Sequence, residues 1–185
     1  MTAQELQFST WNYNVADHYK GKDVDFIRKD LQKNAHSFAV LMEHWKGDFN
    51  ISTMIRNANA FNAKEVFYIG KKKWDRRGAV GTHHYTPLKH VKSFDGLKDL
   101  KSLYTFVAID NNMPDTLKLT KFNWNELEKP PLMIFGEESQ GLTEEMLKLC
   151  DYAVEITQYG SVRSLNVGTS SGIVMFDYVS KLKGG

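Results

Sequence analysis

A chain of 185 residues, 42% hydrophobic and 25% charged, has the composition of one globular domain rather than of a disordered or fibrous polymer. Its formal net charge of +2 does not mark a nucleic-acid binder, so where the charges lie matters more than their sum. The single cysteine, Cys150, excludes a disulfide framework within the chain and a multi-cysteine zinc site, and it reads as a small buried apolar residue.

The first residues lack a basic start followed by an apolar run, and no window approaches the roughly 20 apolar residues a membrane span needs. A cytoplasmic protein with no membrane partner is expected. Val24, Ile27 and Leu31 recur at helical spacing and place an amphipathic helix in an N-terminal extension, residues 1–36. The main domain, residues 37–185, opens with the apolar run Ser37 to Leu41 as a first strand. Ile51, Met54, Ile55, Ala58 and Phe61 follow at helical spacing. Asn62 stands just past that helix and tolerates the left-handed conformation a helix terminus needs. Glu65 to Ile69 reads as a second strand, stopped by Gly70. Leu97, Leu100 and Leu103 suggest a helix feeding the strand Tyr104 to Ile109. The polar stretch Asn111 to Lys129 reads as an irregular surface connection. Pro131 to Phe135 is a further buried strand. Thr143 is a candidate N-cap, with Glu144 and Glu145 in the first turn. A strand from Tyr152 to Ile156 and a last helix from Asn166 to about Leu182 complete the chain. Apolar strands alternating with helices imply a single α/β domain with a mainly parallel sheet flanked by helices.

Common cofactor signatures are missing. The turn after the first strand, Glu43 to Asn50, holds one glycine where a dinucleotide fold wants G-x-G-x-x-G, and the phosphate-loop pattern is absent. His83 and His84 are adjacent; on a strand they would face opposite sides, so they and His90 are not expected to share a metal. Lys71, Lys72, Lys73, Arg76 and Arg77 crowd one stretch, with Trp74 among them. By itself this is either a solvated loop or a basic patch.

Three segments stand out beyond periodicity. They are Asn50 to Arg56, a polar turn leading into a helix; Gly136 to Leu142, a loop with adjacent carboxylates Glu137 and Glu138; and Ile156 to Asn166, a glycine-punctuated loop. The later two follow C-terminal ends of strands, where open α/β sheets place ligands. In order, the three resemble the motifs of the SpoU, or TrmH-like, branch of the SPOUT methyltransferases. N-x-x-x-x-x-R is met by Asn50 and Arg56. G-x-E-x-x-G-L is met by Gly136, Glu138, Gly141 and Leu142. I-P-M-x-G-x-x-x-S-L-N is met by Ile156, Gly160, Ser164, Leu165 and Asn166. Thr157 and Gln158 depart from the usual Pro and Met. Glu137 departs from the usual Asn or Ser.

The resemblance implies an RNA 2′-O-ribose methyltransferase of the α/β knot (SPOUT) type, its C-terminal segment forming a trefoil knot. It implies S-adenosyl-L-methionine as cofactor, held by Ile109, Gly136, Ile156, Gly160 and Leu165. Arg56 would act at the reacting hydroxyl, with Glu138, Asn166, Ser164 and Asn50 around it. A guanidinium is effectively always protonated, which favours electrostatic stabilisation over proton removal. Relatives act as homodimers, and the stretch Lys71 to Arg77 becomes a candidate RNA contact. Only about 36 residues precede the first strand, too few for the additional RNA-binding domain of some ribosomal-RNA members, so transfer RNA is favoured over ribosomal RNA. The alternatives are a ribosomal-RNA methyltransferase, a catalytically inactive RNA-binding member, and a plain nucleotide-binding domain.

Overall fold

The first strand, β1 (His36–Glu43), explains why its sequence reads as an unbroken apolar run. Phe38, Val40 and Met42 enter a core on one face of the sheet; Ala39 and Leu41 enter a second core on the other, and none of the five is solvent-exposed. A strand covered on both faces loses the alternation that marks a half-exposed one. The computed structural model describes residues 15–43, 48–137 and 139–183. Around β1 the elements run α1 (Val24–Lys33), α2 (Asp48–Ala60), β2 (Ala63–Ile69), β3 (Leu88–Val91), α3 (Lys98–Leu103), β4 (Thr105–Ile109), β5 (Leu117–Lys118), β6 (Pro131–Phe135), α4 (Glu144–Leu149), β7 (Tyr152–Glu155) and α5 (Val167–Lys183).

The seven strands form one parallel sheet in the order β3-β2-β1-β6-β4-β7-β5. The chain first moves outward from β1 to β3. It then leaves a place beside β1 that β6 later fills, and β7 enters between β4 and the edge strand β5. Helices α2 and α5 cover the face reached by Phe38 and Met42, through Ile51, Met54, Val174 and Met175. Leu97 and Met146 help cover the other face.

The contact between α2 and α5 depends on small residues. A Cβ at Gly168 would lie 2.9 Å from the Thr53 side chain, and one at Gly172 would lie 3.1 Å from Asn57 Nδ2. Asn57 Nδ2 donates to the Gly168 carbonyl at 2.8 Å and to Ser171 Oγ at 3.0 Å, so the close approach also satisfies buried polar groups. Local chemistry sets the helix ends. Asp23 caps α1 by accepting from Phe26 N at 2.7 Å, and Asn62, with φ 47°, takes the left-handed position after α2.

One strand goes unread in the sequence, and two expectations change. The mixed sequence Leu-Lys-His-Val of β3 carries little strand signal, yet its ladder with β2 makes it an edge. The connection Asn111 to Lys129 is not merely surface. It contains β5 and buries Leu119, Phe122 and Trp124 against α5, where Trp124 Nε1 donates to Asp177 at 2.8 Å. His83 and His84 lie on a 3-10 turn (Thr82–His84), not a strand, so their rings approach to 4.1 Å rather than diverging. Among the described residues, no group of three or more His, Cys, Asp or Glu side chains could hold a metal, and no helix is long and apolar enough to cross a membrane. Cys150 is half-buried; burial pushes its thiol up to about 12.

Candidate functional site

An open cleft of about 650 Å³, counted out to its mouth, lies beyond the C-terminal ends of β4, β6 and β7. Its shape begins with Gly136, the residue that follows β6. The chain turns back immediately: Glu137 N donates to Gly141 O at 3.1 Å and Gly141 N to Glu137 O at 2.8 Å. A Cβ on Gly136 would fall within 2.2–2.4 Å of the Gly141 and Leu142 backbone. Gly141 has φ +72°, and a Cβ there would meet Asp110 Oδ2 at 2.8 Å. Both positions therefore require glycine, one for space and one for space and conformation.

Side chains tie the three cleft loops together. Asp110, just after β4, accepts from Asn112 N at 2.7 Å and from Leu142 N at 3.4 Å. Asn111 Nδ2 reaches the Arg163 carbonyl in the loop after β7 at 2.7 Å. Buried Glu137 accepts from Ser139 Oγ at 2.9 Å to each carboxylate oxygen. Behind the cleft, Glu43 at the end of β1 is buried. It accepts from Thr143 Oγ1 at 2.5 Å and from Thr143 N at 3.0 Å, while Thr143 caps α4 by accepting from Met146 N at 3.2 Å. The result is a cleft lined by apolar Ile109, Phe135, Ile156, Leu165 and Val167 and by polar Asp110, Asn112, Glu137 and Ser139. Such a cleft suits a small molecule that is part flat and apolar, part polar.

Asn166 connects this cleft to α2. It stands one residue before α5, where its Oδ1 accepts from Thr169 N at 3.1 Å as an N-cap. With Oδ1 so engaged, its Nδ2 is the donor to Asn50 Oδ1, at 2.9 Å. Asn50 is buried in the first turn of α2.

The structure thus gathers most of the expected residues. Ile109, Gly136, Ile156, Leu165 and Ser164 line the cleft, and Asn50 and Asn166 are bonded beside it. Gly160 does not line it: it is exposed, and a Cβ there would meet nothing within 4 Å. Glu138 lies outside the described residues. Arg56 is exposed and, among the described residues, has no hydrogen-bond or ion-pair partner. Six residues along a helix is roughly 9 Å of rise and a separation of roughly 120° around the axis, so Arg56 and Asn50 leave α2 on different sides.

The basic loop after β2 is fixed against α2, because Ser52 Oγ donates to the Asp75 carbonyl at 2.6 Å and Gly78 packs on Ser52. Lys71, Lys72, Lys73 and Arg76 are exposed on it, whereas Arg77 pairs with Asp75, which lowers the pKa of that carboxyl. His83 packs edge-on against Trp74 in the same loop. Burial lowers its pKa to about 4, with His84 and Arg76 adding to the shift, and its Nδ1 is buried without a partner among the described residues.

Sequence reasoning missed Asp110 and Asn112 as cleft residues. Their signal was position: each stands within three residues of the C-terminal end of a parallel strand.

Three comparisons bear on this arrangement. A tRNA (guanosine(18)-2′-O)-methyltransferase of Aquifex aeolicus is 25% identical over 163 residues, covering 84% of this chain and 75% of the relative. The crystal structure of an A. aeolicus TrmH/SpoU tRNA modifying enzyme superposes with a TM-score of 0.75 at 22% identity, covering 87% of this chain and 83% of that one. The SpoU methyltransferase AviRb of Streptomyces viridochromogenes, solved in complex with AdoMet, superposes with a TM-score of 0.72 at 24% identity; the match covers 80% of this chain but 59% of that longer one. The model of the SpoU rRNA Methylase family matches residues 37–176, three-quarters of the sequence and all three motif segments, and the chain belongs to that family.

Proposed function

We propose that this protein is an S-adenosyl-L-methionine-dependent RNA 2′-O-ribose methyltransferase, working in the cytoplasm on transfer RNA. One juxtaposition carries the reading: the 2.9 Å bond from Asn166 to Asn50, which joins the cleft loops to the helix bearing Arg56. The cleft fits the cofactor's chemistry. Its apolar side chains suit a purine, and its carboxylates suit an amino-acid group. When bound, the cofactor supplies a methyl group activated on a sulfonium. Ile109, Gly136, Ile156 and Leu165 would hold it.

The chain's own residues position the ribose. Arg56, permanently protonated and without a partner among the described residues, anchors the phosphate next to the target and stabilises the developing alkoxide. Asn50, Asn166 and Ser164 orient the sugar, and Glu138 orients Arg56. Much of the rate then comes from alignment. Lys71, Lys72, Lys73 and Arg76 attract the RNA backbone, with Arg77 and Trp74 beside them.

Arg56 leaves α2 on a different side from the Asn50 that contacts the cleft loops, which supports a homodimer whose site is completed across the interface. Ile173 and Phe176 on α5 and Phe49 on α2 are exposed apolar residues suited to that contact. The insertion of β6 and then β7 on either side of β4 supports a C-terminal trefoil knot. No metal enters this reading.

The A. aeolicus relative, named for transfer RNA, supports that substrate. The family description names ribosomal RNA, so a ribosomal-RNA substrate is the second reading. Mass mapping of ribose methylation in RNA from cells lacking the protein decides between them. Loss of one 2′-O-methyl nucleotide from transfer RNA is expected; loss confined to ribosomal RNA establishes the alternative.

A further inference from the structure

Gln158 lines the cleft, and its Oε1 is buried with no hydrogen-bond partner among the described residues. Among the described residues, three other acidic or amide groups of the cleft loops are engaged. Asp110 holds two backbone N–H groups, Glu137 holds Ser139, and Asn111 holds the Arg163 carbonyl. Buried acceptors are rarely left unpaired, so a molecule filling the cleft is the natural source of the missing donor. The motif that this segment resembles has methionine at this position, a side chain with no such group. The feature belongs to this chain.

We infer that Gln158 is a specificity-determining residue that hydrogen-bonds the edge of the adenine ring of the bound cofactor. The inference rests on the function proposed above. A carboxamide presents a donor and an acceptor side by side, and adenine presents the complementary pair, its 6-amino group next to a ring nitrogen. Ile156, two residues earlier in the same segment, and Leu165 give the apolar surface a flat ring requires. The cofactor's other donors fit elsewhere. A cationic ammonium pairs better with a carboxylate such as Asp110 or Glu137 than with a neutral amide, because charge-assisted bonds are the stronger ones.

The test is calorimetric binding of S-adenosylhomocysteine, its 6-deamino purine counterpart and its 2′-deoxyribose counterpart to the full-length protein and to Gln158→Met and Gln158→Leu. Thermal melting of the unliganded variants monitors folding, and two variants of different shape guard against one failing to fold. The wild type should prefer the adenine ligand over the 6-deamino ligand by about five- to tenfold, the worth of one buried hydrogen bond. Both variants should lose that preference while binding the 6-deamino ligand as the wild type does. A preference retained in either folded variant overturns the inference and leaves the methyltransferase reading intact. So does a loss that tracks the ribose hydroxyl instead of the 6-amino group. If the wild type binds none of the three ligands, the function reading fails, and the inference falls with it.

Discussion

Asn166 spends both ends of its carboxamide at once: Oδ1 accepts from Thr169 N at 3.1 Å to cap α5, and Nδ2 donates to Asn50 Oδ1 at 2.9 Å. The two duties separate by substitution. Asn166→Asp keeps the cap, since aspartate is an equally good N-cap, but removes the donor and sets a carboxylate against the Asn50 oxygen. It is expected to melt within a few degrees of the wild type yet to lose most methyl transfer. Asn166→Ala loses both functions, and its stability in urea should fall by about 1 kcal/mol. Equal activity in Asn166→Asp and wild type would show that the Asn50 contact is only structural.

Thr143 joins the cap of α4 to the buried carboxylate of Glu43, donating through both its hydroxyl and its backbone N–H. Thr143→Val removes the hydroxyl from both partnerships. The expected loss is about 2–3 kcal/mol, combining a missing N-cap with a partly unpaired buried carboxylate. Thr143→Ser should recover nearly all of it. Urea denaturation of the three proteins measures the series.

Gly136 has no room for a side chain against the Gly141 and Leu142 backbone. Gly136→Ala must displace the hairpin between Glu137 and Gly141, at a cost of about 1–3 kcal/mol. Because that loop shapes the cleft, affinity for S-adenosylhomocysteine should fall more than tenfold even where the variant remains folded. Calorimetry on the folded fraction reads this directly. Gly160→Ala, in open space, serves as the control and should bind normally.

His83 makes stability depend on pH. Burial lowers its folded pKa to about 4, against 6.5 for an unperturbed imidazole. Between those values the unfolded chain binds a proton on this residue and the folded chain does not. Its contribution is therefore complete above pH 6.5 and is lost as pH falls towards 4. His84, also lowered by burial and by Arg28 and Arg76, acts in the same direction. Urea midpoints at pH 7 and pH 5 should differ less for His83→Asn than for the wild type; an unchanged difference would remove His83 as the cause.

The sheet was legible in the sequence wherever its strands are buried on both faces. Ser37 to Leu41, Tyr104 to Ile109 and Pro131 to Phe135 announce themselves as apolar runs, and each is a strand within a residue or two. The edges were not legible. Leu88 to Val91 and Leu117-Lys118 hold their places through ladders with β2 and β7, a tertiary effect that leaves little trace in local composition. The buried anchors of the 111–129 connection, Leu119, Phe122 and Trp124, were hidden among lysines and asparagines because only isolated residues turn inward.

For the site, four of the five residues expected to hold the cofactor, Ile109, Gly136, Ile156 and Leu165, line the cleft, while Gly160, chosen from the motif alone, faces solvent. The bond between Asn50 and Asn166 spans 116 positions and could be seen only once α2 and α5 were packed. Asp110 and Asn112 carry no pattern of their own, and their place in the cleft comes from where β4 ends.

The central claim is tested most directly by incubating the purified protein with transfer RNA and S-adenosylmethionine carrying a labelled methyl group, then digesting the RNA to nucleosides. Label should appear in a 2′-O-methyl nucleoside, recognised by the resistance of its 3′-linkage to alkali. It should be absent from the reaction of a folded Arg56→Ala variant that still binds the RNA. Label on a base, or equal ribose methylation by Arg56→Ala and wild type, would contradict the assignment of this cleft and this arginine.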